Sequence, residues 1–243
     1  MPSYGKIMLG VGCNPYALKL DYSSLSWWER TMYQHLVEKL TPYLGRVSQQ
    51  ILSIGGYDLS NLEGELLAFV IEDLNDIYVD RAVQFSNSAG DAIPIKPNDI
   101  ATAATQWAKE YGYTLIQGLV STTEKIVQSA IAYSMGNEGA TLGRVMEMLE
   151  PAFGRQRAMA IAVTETTRAN AQAMRGLQEH YAASYQVLMT RVWQTNRDEL
   201  VCPVCGPLHN KPEKYWSDRF PDGAPAHPYC RCGIVLRRAS RYA

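Results

Sequence analysis

No stretch of this chain approaches the roughly 20 uninterrupted apolar residues that cross a bilayer, so no transmembrane helix and no membrane partner are expected. Excess charge is missing too. The 243 residues carry 23 Lys/Arg against 24 Asp/Glu, a net charge of −1, which removes any chain-wide attraction to nucleic acid. There is no internal repeat and no low-complexity tract. The apolar run Ile7–Cys13 is too short and too weakly flanked to read as an export signal. Histidine is scarce, with four in the chain. None has glutamate two positions on, and H-E-x-x-H is absent, so zinc hydrolases and zinc deaminases lack their proton-shuttling residue here. Gly112, Gly118, Gly136 and Gly139 form no phosphate-binding loop.

Cysteine is also rare, yet its placement is the most informative feature present. Four of the five cysteines fall in one C-terminal stretch, Cys202-Pro-Val-Cys205 and then His227-Pro-Tyr-Cys230-Arg-Cys232. Two residues between Cys202 and Cys205 let one turn aim both sulfurs at one point. Cys230 and Cys232 leave the same face of an extended segment. Two such pairs are the spacing of a structural zinc site, in which four ligands leave no open position for water or substrate. Cys202, Cys205, Cys230 and Cys232 are the expected ligands. His227 is the alternate fourth ligand, because an i,i+2 cysteine pair is strained around one ion unless locally extended; otherwise it braces the site or caps the turn before Pro228. The competing reading is a disulfide-bonded or reduced thiol cluster. Metal spacing without an export signal points to a reducing compartment, and Cys13 has no obvious partner.

The remaining pattern predicts a mainly α protein: an elongated helical body with a small C-terminal zinc-stapled α+β module. Residues 1–20 read as an arm, rich in glycine and proline with no sustained period. Residues 21–183 read as the helical body. Ser26 and Glu29 form a capping box, and apolar residues then recur at Trp28, Met32, Leu36 and Leu40. Pro42 is expected to kink or divide that helix. Further helices are expected over 59–83, 99–133, 142–149 (closed by Pro151) and 155–181. Residues 184–243 form the module. A buried strand is expected over 185–193, where both alternating sets are β-prone, and a second over 233–236. A module of about 60 residues buries little core by itself, so a metal is a natural source of its stability.

Residues 201–243 hold seven Lys/Arg against three acids, leaving 16 against 21 for the rest of the chain. Arg231, Arg237, Arg238 and Arg241 are thus weak candidates for touching nucleic acid or another acidic partner. Glu165 and Arg168, at i and i+3, read as a satisfied ion pair between helix and cap in preference to a catalytic acid, since no second carboxylate lies at a useful spacing. His35 and His180 read as ordinary core or surface residues, and Trp27, Trp28 and Trp193 as core anchors.

Taken in order, the motifs Ala160-Ile-Ala-Val-Thr-Glu165, Trp193-Gln-Thr195, Asp198, Val201-Cys-Pro-Val-Cys205 with Leu208, and His227-Pro-Tyr-Cys-Arg-Cys232 resemble the phage Mu F-like head morphogenesis proteins, the minor head or minor capsid proteins of tailed phages. The resemblance covers roughly residues 100–236. It implies a virion component present in few copies, inside the head near the portal vertex, and in the host cytoplasm during assembly. It implies the portal protein and the major capsid or scaffold proteins as partners, packaged DNA as a further candidate, and an oligomeric state set by the portal. It further implies a role in head assembly, and in some phages in DNA packaging or ejection, with no enzymatic activity. A zinc-dependent nucleic-acid-binding module is the alternative, and a metal-dependent hydrolase or nuclease a more distant one. Residues 1–99 match no known motif and would carry the portal-docking surface. Where many relatives have Leu-Asp-Gly after the first cysteine pair, this chain has Leu208-His209-Asn210. The turn must be made differently here, and His209 joins the residues that could approach the metal.

Overall fold

The structure, a computed structural model, describes residues 22–88, 93–137, 139–196, 198 and 200–241. The expected arm, Cys13 and the Arg241 side chain lie outside that description. Five α-helices and one two-stranded sheet form the described chain: α1 (Trp27–Ile54), α2 (Leu62–Ser88), α3 (Pro97–Gly136), α4 (Leu142–Phe153), α5 (Arg155–Tyr185), β1 (Met189–Gln194) and β2 (Gly233–Arg238).

Helix α1 starts at the capping box. The Ser26 hydroxyl accepts from the Glu29 N–H at 3.3 Å, and the Glu29 carboxylate accepts from the Ser26 N–H at 2.7 Å. Met32, Leu36, Leu40, Tyr43, Val47 and Ile51 form its buried stripe. Of the two effects expected of Pro42, division does not occur, and the helix continues to Ile54. The proline ring faces solvent, so the carbonyl it leaves unpaired can bond to water, while Leu40 and Tyr43 on either side are buried and hold the turn in place. Gly55, at φ 63°, ends the helix by donating to the Ile51 carbonyl at 3.1 Å.

Pro151 does not close α4, contrary to expectation. The helix runs through Pro151 to Phe153, because Ala152 and Phe153 are fully buried and the Phe153 ring stacks on Tyr43 at 5.8 Å. Helix α5 likewise outruns its expected end at residue 181. Its cap, Gln186, takes the left-handed conformation (φ 55°), and the Val187 N–H returns to the Tyr181 carbonyl at 3.1 Å. That closure assigns Tyr185 and Val187, which alternate like strand residues, to a helix end. The first strand therefore begins only at Met189.

β1 and β2 pair antiparallel, Met189 opposite Arg238 and Gln194 opposite Gly233. Two apolar clusters fill the molecule. One joins α1 to α4 and the start of α5. The other joins the end of α2, the start of α3 and the second half of α5 to Trp193, Trp216, Ile234, Leu236 and all four module cysteines. Close approach of α2 and α5 requires Gly176: a Cβ there would lie 1.7 Å from the Tyr78 hydroxyl oxygen. The metal-ligand candidates are thus set in the wall of a core built largely by helices.

Candidate metal centre

The first cysteine pair lies on a turn just after β1. Cys205 and Gly206 both donate to the Cys202 carbonyl, at 3.1 and 2.9 Å, and the Cys205 N–H also points at the Cys202 sulfur at 3.3 Å. Pro203 sits at the second position of this turn, where its fixed φ is already correct. The second pair lies on a turn just before β2, closed by the Cys230 N–H on the His227 carbonyl at 3.2 Å. Tyr229 holds that turn with φ 61°, an uncommon backbone conformation for a bulky residue.

Helix α5 imposes it. The Tyr229 N–H donates to the Thr164 hydroxyl at 3.0 Å, the Thr167 hydroxyl donates to the Cys230 carbonyl at 2.7 Å, and the Tyr229 hydroxyl donates to the Gln156 carbonyl at 2.8 Å. Thr164 and Thr167, three residues apart, lie on one face of the helix and clamp the loop between them. Sequence reasoning missed this role. The signal was the i,i+3 threonine spacing around Glu165. Glu165 itself is buried, and its Oε2 accepts from the Tyr111 hydroxyl at 2.6 Å and from Arg168 Nε at 3.2 Å. The expected ion pair with Arg168 forms on this one oxygen, and Tyr111 of α3 supplies a partner that the sequence did not indicate.

Five donor atoms converge in two groups that share Cys205: Cys202, Cys205 and His227, and Cys205, Cys230 and Cys232. All four sulfurs belong to buried, free cysteines. The Cys205 sulfur lies 3.9 Å from that of Cys230 and 3.7 Å from His227 Nε2, and the Cys202 sulfur lies 2.9 Å from the same nitrogen. Two ligands of a tetrahedral zinc, with Zn–S near 2.3 Å, stand about 3.8 Å apart, so the first two separations suit one ion. His227 is also oriented for ligation. Its Nδ1 lies 2.7 Å from the Pro228 carbonyl, which can only accept, so Nδ1 carries the hydrogen and the lone pair of neutral imidazole falls on Nε2, facing the sulfurs.

The thiols compete for protons. Hydrogen bonds to Cys230 and Cys232, together with burial, push the Cys205 thiol far up, while Cys230, which accepts from both Cys205 and Cys232, is held well below its ordinary value. The bond with Cys205 pulls Cys232 down, but its bond to Cys230 and burial outweigh this and leave it at about 12. A divalent cation lets all of these sulfurs ionise together, and the donor set of soft thiolates and one imidazole fits it. The Trp193 indole N–H has no conventional acceptor and favours the Cys232 thiolate. The Trp-x-Thr motif thereby gains a purpose beyond core filling.

His209 does not join the cluster. Its Nδ1 accepts from the Thr195 N–H at 3.1 Å and lies 2.9 Å from the Thr195 hydroxyl. Asn210 makes the turn in place of glycine, at φ 60°, a conformation asparagine tolerates. Of the basic candidates, Arg231 faces Asp198 at 3.5 Å. Arg237 and Arg238 are consecutive on β2 and so leave opposite faces of the sheet.

Fold and site together define a helical protein whose small C-terminal α+β module is built around a buried Cys/His cluster compatible with a metal ion. Residues 122–235 match the family described as Phage Mu protein F like protein. Those residues, which run from the second half of α3 into β2, are thus similar to the phage Mu F-like head morphogenesis proteins. No curated protein and no solved structure matches the chain.

Proposed function

We propose that this protein is a minor head protein that acts at the portal vertex during head assembly, with a structural zinc ion stapling its C-terminal module. The family match supports the head role. The convergence of five donor atoms about Cys205 supports the staple. In this reading Cys202, Cys205, Cys230 and Cys232 hold the ion, and His227 competes for the fourth position. Residues 21–183 form the body, residues 184–243 the module, and the protein performs no catalysis, because a metal with four protein ligands offers no site for water. The portal protein, with the major capsid or scaffold protein, is the partner, and the virion is the destination. No described helix is long and apolar enough to cross a membrane. Participation in DNA packaging or ejection would follow from that location.

Co-expression with the portal protein tests the docking role. The two should co-purify, and the chain should appear in assembled particles. A chain absent from particles overturns the reading.

A nucleic-acid contact is the second reading, and one observation favours it. Tyr215 is 62% exposed, with the Lys211 and Lys214 ammonium groups 5.5 and 5.7 Å from its ring centre. An exposed ring flanked by cations suits a stacked base of a single strand. Binding that weakens steeply with salt supports it, and salt-independent or absent binding removes it.

A further inference from the structure

Beside the metal centre, on the other side of His227, a small cleft opens between α3, α5 and the loop 225–228, with a cavity volume of about 60 Å³. Leu115, Leu119, Ile161 and Pro225 supply apolar walls. The polar groups that line it are mostly acceptors. Both partners of Glu165, Tyr111 and Arg168, bind its Oε2, so Oε1 is left to the cleft, on a residue only 3% exposed. The Thr122 hydroxyl has its hydrogen committed to the Gly118 carbonyl at 2.8 Å, and the Thr164 hydroxyl to the Ala160 carbonyl at 2.6 Å. Thr122 therefore presents lone pairs, and Thr164 keeps one besides the pair that accepts from the Tyr229 N–H. The one cation of the lining, Arg168, is turned to Glu165 and sits 5.3 Å from the Tyr111 ring centre.

A cleft with apolar walls, a buried carboxylate oxygen and hydroxyls that can only accept has a definite complement: a head with several N–H donors and no acceptor, on an aliphatic stem. An ammonium group has three donors and no acceptor. We propose that this cleft is a binding site for a primary alkylammonium group, with Glu165 Oε1 as its principal acceptor. The group could be carried by a lysine side chain of a protein partner or by a free aliphatic amine. The site depends neither on the head-protein reading nor on an occupied metal centre.

Calorimetric titration of the full chain tests it with n-butylammonium chloride, n-butanol as the uncharged isostere, and Nα-acetyl-lysine-N-methylamide as the side chain in a polypeptide setting. So small a ligand should bind saturably with a dissociation constant on the order of millimolar. Loss of a charge-assisted hydrogen bond is worth about tenfold or more, so butanol should bind at least that much more weakly, and Glu165→Gln should weaken the ammonium by a similar factor. Ala160→Phe fills the mouth of the cleft while leaving the Glu165 bonds untouched, and should abolish binding. It keeps the test sound if Glu165→Gln fails to fold. Tighter binding of the lysine derivative than of butylammonium assigns the site to a protein partner, and the reverse order assigns it to a free amine. Absence of saturable binding overturns the proposal. So does equal affinity for butanol, or binding undiminished in both variants.

Discussion

The Thr167 hydroxyl donates a 2.7 Å hydrogen bond to the carbonyl of Cys230, 63 residues further along the chain. Three residues earlier the Thr164 hydroxyl accepts from the N–H of Tyr229. Between them these threonines hold the loop that carries His227 and Cys230, so the metal-ligand candidates are positioned by the helical body as well as by their own turns.

Thr167→Val keeps the shape of the side chain and removes the donor. The buried Cys230 carbonyl is then unsatisfied, at a cost of about 1–3 kcal/mol. Urea unfolding should show that loss, and the variant should also retain metal less well through a chelator challenge. Unchanged stability would mean that the clamp is incidental.

Cys205 belongs to both donor groups, so its loss should be the most severe of the ligand substitutions. Elemental analysis is expected to find one zinc per wild-type chain and none in Cys205→Ser, with a lower melting temperature for the variant. Cys232→Ser and His227→Ala distinguish the fourth ligand: the true ligand's variant loses metal, and the other retains it.

Gly176→Ala should be strongly destabilising, because the added methyl carbon would overlap the Tyr78 hydroxyl, whose burial also pushes its pKa to about 12. Overpacking of this kind costs about 1–3 kcal/mol. Tyr78→Phe in the same chain should restore only part of the loss, since the ring carbon beneath the hydroxyl is 2.9 Å from the same point. Thermal melts of the single and double variants measure both effects.

Arg191 is buried, and its Nη2 pairs with Glu213 while Nε and Nη1 have no hydrogen-bond partner. Burial alone would raise the Glu213 carboxyl, but the Arg191 guanidinium outweighs it and holds the group below its ordinary value of 4.5. A folded pKa below the unfolded one gives stability that is present above pH 4.5 and lost as the pH falls through the folded value. Glu213→Gln should therefore be less stable than wild type at pH 7. Partial exposure of Glu213 keeps the difference short of the roughly 3–5 kcal/mol of a wholly buried pair. Denaturant midpoints taken from pH 7 down to pH 3 should converge. A gap that stays constant would show that the carboxylate charge is not what stabilises Arg191.

Much of this architecture was legible locally. The Ser26–Glu29 cap, the stripe from Met32 to Ile51, the two cysteine pairs and the strand after them are patterns within a few residues, and local hydrogen bonding or periodicity is enough to specify each. The misreading at Pro151, and the undivided helix at Pro42, share one cause. Proline's effect on a helix depends on whether its freed carbonyl meets water and on what the next turn buries, and both are decided by neighbouring helices. Tyr185 and Val187 alternate like strand residues, yet the return of the Val187 N–H to Tyr181 keeps them in a helix end.

By itself, then, the sequence determined that the chain is mainly helical, that its C-terminal cysteines are spaced for a metal, and that its ordered motifs resemble those of the phage Mu F-like family. Only the tertiary structure decided that α5 clamps the second cysteine turn, that His227 presents Nε2 to the sulfurs, and that Glu165 turns one oxygen toward a cleft. Periods and pairs report forces between neighbours in the chain, whereas these three arrangements join groups that meet only after α3, α5 and the module have packed around a common core.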